Sequence, residues 1–139
     1  DRIVRSSHKP CFVTPREFKP IEKVVFAYDA SATGKKMIKF LQDFPLIKGL
    51  ELQIIKIRRH DIAVTQANLR EAQEKLADFN PTTHLLEGHP EKVICDFVRD
   101  ENCLLIMGAY GHNRIRHLVI GSTTAQVLRK SRVPVLLLR

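Results

Sequence analysis

Three glycines and two hydroxyls carry the most informative chemistry in this chain. They stand in Gly108-Ala-Tyr-Gly111-His-Asn-Arg-Ile-Arg-His-Leu-Val-Ile-Gly121-Ser122-Thr123, directly after the apolar run Cys103–Met107. A glycine at the carboxyl end of a strand lets the backbone approach a ligand with no Cβ in the way. Gly111 permits a turn. Gly121-Ser122-Thr123 opens a helical pattern, whose unpaired N–H groups and positive dipole end suit a phosphate. The hydroxyls of Ser122 and Thr123 add donors, and His112, Arg114, Arg116 and His117 place basic side chains beside the anion. Asp29 closes a second apolar run, Lys23–Tyr28. Its carboxylate has two readings that stand level. One is a capping or turn contact with the segment holding Ser31 and Thr33. The other is an acceptor for a ribose hydroxyl, or a group near a metal bound to phosphates.

Other chemistries are poorly represented. No Gly-x-Ser-x-Gly nucleophile elbow is present. Gly34-Lys35-Lys36 lacks the upstream glycine and following hydroxyl of a Walker-type loop, and reads as the first turn of a solvated helix. His84 and His89 have no cysteine or carboxylate partner pattern, and His112 and His117 read as exposed neighbours of a phosphate. Cys11, Cys95 and Cys103 are odd in number and without Cys-x-x-Cys spacing, so they read as small apolar thiols in a reducing cytoplasm. Hydrolysis of a nucleotide needs a positioned water and a base near the γ-phosphate. Asp29 is the one visible candidate, so binding is favoured over turnover.

These residues need a scaffold, and the pattern supplies one. Lys23–Tyr28, Cys103–Met107 and Val133–Leu138 read as buried strands, while Leu52–Ile57 and Thr82–Leu86 are more mixed and are placed nearer an edge. Helical stripes lie between them: Met37, Ile38, Leu41 and Phe44; Leu69, Ala72, Leu76 and Phe79; Val93, Ile94, Phe97 and Val98, begun at Pro90; and Ser122 to Lys130. Alternating strands and helices imply an α/β fold, a doubly wound five-stranded parallel sheet of order 3-2-1-4-5. In that order the winding reverses between the first and fourth strands, and the crevice beyond their carboxyl ends holds both Asp29 and Gly108.

Composition narrows the partners. A net charge of +8 favours anionic ligands, but lysines and arginines are dispersed and aromatics are not interleaved with them, so no nucleic acid is indicated. Apolar tetrads such as Leu104–Met107 fall far short of the ~18 residues of a membrane span. With no secretion signal either, a cytoplasmic protein without a membrane partner is expected.

The first residues break the alternation. Ile3–Thr14 resembles Val127–Leu138 at a constant offset, with Arg5, Ser7 and Pro10 matching Arg129, Ser131 and Pro134. Such a repeat suggests tandem domains. Residues 1–15 then form the tail (helix end and last strand) of a preceding similar domain, 16–22 a linker, and 23–139 the domain proper. A chain beginning at Asp1 is in keeping with a fragment or processed product.

From about Lys23 to Arg139 the sequence resembles the universal stress protein family, of the type that binds ATP, and in particular the C-terminal domain of a tandem protein. The family's Gly-x2-Gly-x9-Gly-Ser/Thr signature is met by Gly108, Gly111, Gly121 and Ser122, alongside the VVFAYDAS opening and the closing Ser-x-x-Pro-Val strand. The resemblance implies an adenine-nucleotide alpha hydrolase-like fold. It implies that Ala27, Tyr28 and Asp29 line the adenosine side, that Ile57 contacts adenine, and that Met107 and Gly108 meet the ribose. Gly111, Gly121, Ser122 and Thr123 would meet the phosphates, flanked by His112 and Arg114. The implied ligand is ATP, with AMP or ADP as relatives, and Mg or Mn accompanying the phosphates near Asp29. Two departures stand out: Tyr28 where members often carry a small residue or proline, and the basic run Arg58-Arg59-His60 after the second strand. The last strand, Pro134–Leu138, is expected to pair antiparallel with a counterpart, here Cys11–Thr14, within the chain or in a homodimer. The implied function is a nucleotide-binding stress-response regulatory domain. The alternatives are a dimerisation scaffold that binds no nucleotide and a slow Mg-dependent ATPase.

Overall fold

The computed structural model describes residues 9–17, 19–58, 61–109 and 122–138. Its strands form where aliphatic residues run without interruption. They are β1 (Cys11–Val13), β2 (Lys23–Ala27), β3 (Glu51–Ile57), β4 (Thr82–Leu86), β5 (Cys103–Gly108) and β6 (Val135–Leu138). β5 and β6 are buried on both faces, as covered parallel strands must be. β6 starts two residues later than its apolar run because Pro134 has no N–H to give a ladder. Its carbonyl still accepts from Leu105 N at 3.0 Å.

The sheet order is β1-β6-β5-β2-β3-β4. The five parallel strands β2 to β6 keep the expected 3-2-1-4-5 order, but the sheet has six strands rather than five. The sixth is β1, antiparallel to β6 with Cys11 opposite Leu137 and Val13 opposite Val135. Without it the backbone of an entirely apolar strand would lie open at the sheet edge. β3 lies between β2 and the edge strand β4, one strand in from the edge, as the expected order requires. Lys56 made the run look mixed, yet that lysine is only 6% exposed, with its ammonium 5.9 Å from the Tyr28 ring centroid.

Among the described residues four α-helices cover the sheet: α1 (Ala32–Gln42), α2 (Ile62–Lys75), α3 (Pro90–Val98) and α4 (Ser122–Lys130). Strand alternation sorts the core into two layers. Val24, Phe26, Ile54, Leu104 and Ile106 face Met37, Ile38 and Leu41 of α1 and Leu69 and Ala72 of α2. Val25, Ile55, Leu105, Met107 and Leu137 face Ile94 and Val98 of α3 and Val127 of α4. The helix starts follow ordinary capping chemistry. Ser31 caps α1 by accepting from Gly34 N, Asp61 caps α2 by accepting from Ala63 N, and Pro90 opens α3. Cys103 is buried at the start of β5, and burial pushes its thiol up to about 11, so it stays protonated and unreactive near neutrality.

Candidate functional site

The reversal of winding between β2 and β5 leaves a cleft beyond the carboxyl ends of the strands. Ala27, Tyr28 and Asp29 line it from the end of β2, Ile55, Lys56 and Ile57 from β3, and Met107 and Gly108 from β5. Pro90 and Ile94 of α3 and Thr123 and Thr124 of α4 complete the wall. Seven of the residues singled out in the sequence therefore share one cleft: Ala27, Tyr28, Asp29, Ile57, Met107, Gly108 and Thr123. Ser122 is exposed as the first residue of α4 and is not among the lining residues. Gly111, His112, Arg114 and Gly121 lie outside the described residues, as do Arg116, His117, Arg59 and His60.

Each wall is positioned by a specific bond. Asp29 Oδ1 accepts from Ser31 N at 2.9 Å and from Ser31 Oγ at 2.6 Å, so the turn contact anticipated for this carboxylate is made on one oxygen. Tyr28 N donates to Ile55 O at 2.9 Å, which continues the β2–β3 ladder to the cleft floor. Thr124, only 3% exposed, donates its hydroxyl to Gly108 O at 2.9 Å. That bond ties the first turn of α4 to the end of β5, with the glycine-rich segment 109–121 between them. Ala109 N donates to Leu138 O at 2.8 Å and keeps the end of β5 in register with β6.

The bulk of Tyr28 is accommodated on the α1 and α2 side of the sheet. Its ring lies 5.6 Å from that of Phe26, in the layer opposite Ile55, Ile94 and Met107. Burial raises the phenol pKa, with the Glu71 and Asp29 carboxylates adding to the effect, so the hydroxyl stays neutral. Arg58, next to the cleft, is not left as a lone cation: its Nη1 lies 2.7 Å from Glu87 Oε1. The pair is exposed, and pairs of that kind contribute only about 0–1 kcal/mol. It does balance charge where β3 and β4 end.

Among the described residues a metal would find one carboxylate lining this cleft, that of Asp29. Among the described residues no group of three His, Cys, Asp or Glu side chains could hold an ion. One carboxylate together with phosphate oxygens suits Mg, which keeps most of its waters. Ile55, Lys56, Pro90, Ile94 and Thr124 were not anticipated as lining residues. Pro90 carried a signal, because an α/β crossover brings each helix start to the carboxyl end of the preceding strand. Thr124 carried none, since its role depends on a carbonyl 16 residues away.

The universal stress protein family model matches residues 50–139. The chain belongs to the universal stress protein family. It is 48% identical over 143 residues to universal stress protein Slr1230 of Synechocystis sp., a match covering all of this chain and 50% of that protein. The universal stress protein domain thus spans about half the length of the curated relative it matches. A crystal structure of a universal stress protein from Archaeoglobus fulgidus superposes with a TM-score of 0.73 at 24% identity, covering 99% of this chain and 52% of that one. A universal stress protein in complex with cAMP superposes with a TM-score of 0.71 at 22% identity, covering 87% and 98%. At these identities the structural matches establish the fold. Among the described residues, no helix of this universal stress protein is long and apolar enough to cross a membrane.

Proposed function

We propose that this universal stress protein domain binds ATP in the cleft and serves as a cytoplasmic, nucleotide-dependent regulatory module. The observation that carries the reading is the convergence of Asp29, Gly108 and the Thr123–Thr124 turn on one crevice at the switch point of the sheet. The apolar wall of Ile55, Ile57, Ile94 and Met107 suits a purine. Asp29 offers an acceptor to a hydroxyl or amino group of the nucleoside. In this reading Gly108 meets the ribose and Thr123 the phosphates, and Gly111, His112, Arg114, Gly121 and Ser122 are the further phosphate contacts proposed from the sequence. Mg or Mn bound with the nucleotide would neutralise phosphate charge. AMP and ADP share the nucleoside contacts and bind more weakly. A relative of the same fold in complex with cAMP adds support for a nucleotide.

A calorimetric titration with Mg-ATP, AMP and GTP tests this. Saturable binding, tighter for ATP than for AMP, is the expected result. Silence with all three ligands would contradict it and leave the scaffold reading.

The assembly reading has its own support. Structures covered over about half their length match 98–99% of this chain, whereas those covered nearly whole match about 85%. The smaller share is close to that of residues 23–139. β1 would then be the last strand of a preceding domain, residues 16–22 the linker, and the β1–β6 pair the seam between the two domains.

A further inference from the structure

We infer that Ser31 and Gly34 are positioning residues that hold the Asp29 carboxylate at the cleft, an inference that rests on the nucleotide reading above. Gly34 looks in the sequence like one residue of a solvated first turn. In the structure it is buried. A Cβ built on it would lie 2.9 Å from Asp29 Oδ1, 3.0 Å from Tyr28 Cε2 and 3.2 Å from Tyr28 Cδ2. Neither neighbour yields easily. Oδ1 is pinned by the N–H and hydroxyl of Ser31. The Tyr28 ring is 2% exposed and packed beside Phe26.

Ser31 Oγ has a double duty. It donates to Asp29 Oδ1 at 2.6 Å and accepts from Gly34 N at 3.1 Å, so one hydroxyl joins the helix cap to the carboxylate. The chain reaches this arrangement only by placing Ala30 at φ +63°, a left-handed conformation that side chains resist. A strained residue between the acid and its clamp marks a geometry that the surrounding contacts enforce. Both bonds fall on Oδ1, which leaves Oδ2 as the oxygen that meets a ligand donor. Because Asp29 faces the nucleoside end, disturbing it affects ATP and AMP alike, unlike a change at the phosphate end.

The test titrates ATP and AMP against the intact chain and its Gly34→Ala, Ser31→Ala, Ser31→Thr, Asp29→Asn and Gly34→Ala/Asp29→Asn variants. Amide hydrogen exchange at Ser31 is followed in the absence of ligand. Alanine favours a helix, so Gly34→Ala should remain folded. Gly34→Ala and Ser31→Ala are expected to weaken ATP and AMP equally, by about tenfold, a typical coupling for groups that share one bonded network. Ser31→Thr, which keeps the hydroxyl, restores binding. In the Asp29→Asn background Gly34→Ala adds less than about twofold, since the two changes act on one contact. Full additivity, or wild-type affinity in both single variants, would overturn the inference. If the unaltered chain binds no nucleotide, the binding reading fails by itself and exchange decides the positioning. Faster exchange of the Ser31 amide in Gly34→Ala sustains the clamp, and unchanged exchange overturns it.

Discussion

Replacing Ser122 by glutamate is expected to lower ATP affinity by about 100-fold, or about 2.7 kcal/mol, without unfolding the protein. Ser122 is the exposed first residue of a nine-residue helix that begins at the cleft. An added carboxylate there meets the positive end of the helix dipole and stabilises the helix by about 0.3–1 kcal/mol. In the proposed binding mode the same carboxylate faces the phosphates of the ligand. Two like charges about 4–6 Å apart near a protein surface repel by one to a few kcal/mol. Loss of a hydroxyl donor to a charged oxygen removes about 1.5–3 kcal/mol more in an unscreened geometry. Stability and affinity should therefore move in opposite directions, which a merely damaged fold cannot imitate. Calorimetry and a melting curve read the two quantities separately. Adenosine, which lacks phosphates, should bind the variant as it binds the original chain. ATP affinity within about threefold of the original would remove Ser122 from the phosphate site.

Phe26→Ala is expected to destabilise the domain by about 3–5 kcal/mol. Phe26 is fully buried in β2, with Ile54 and Ile106 as its cross-strand neighbours in register. Its ring also supports Tyr28, 5.6 Å away, and through it the floor of the cleft. Removing the ring deletes apolar contact and leaves a void in a layer walled by sheet and two helices, which cannot readily collapse. Against a total stability of about 5–15 kcal/mol, the loss is large enough to show as a clear shift of the urea midpoint. A loss below about 1 kcal/mol would mean that Phe26 is not the centre of this layer.

The scaffold was legible in the residues because long aliphatic runs, helical stripes and their stops all pointed to one topology. β5 and β6 declared themselves through unbroken apolar runs, and α3 through Pro90 followed by Val93, Ile94, Phe97 and Val98. β3 kept its expected place beside the edge strand but looked mixed, because a buried lysine reads as polar in a sequence, whatever an aromatic ring does for it in space. The extra strand β1 was anticipated only through the likeness of its segment to Val127–Leu138, since three residues carry little pattern of their own.

The candidate site was legible where residue type alone speaks. Asp29, Gly108 and Thr123 fell at predictable ends of elements, and the sheet order brought them together. Gly34 and Thr124 were not legible in that way. Each acts on an atom of another element: Gly34 by leaving room for Asp29 and Tyr28, Thr124 by bonding the Gly108 carbonyl. Helical spacing says which face a residue occupies, not which carbonyl or carboxylate waits there.

Occupation of the cleft between β2 and β5 by the nucleotide is tested most directly by an amide chemical-shift map recorded during a titration with Mg-ATP. Saturable shifts are expected at Ala27, Asp29, Ile57, Gly108 and Thr123, with little change at Glu51 and Cys103 at the opposite end of the sheet. Shifts gathered at that opposite end, or none at saturating ATP, would contradict it.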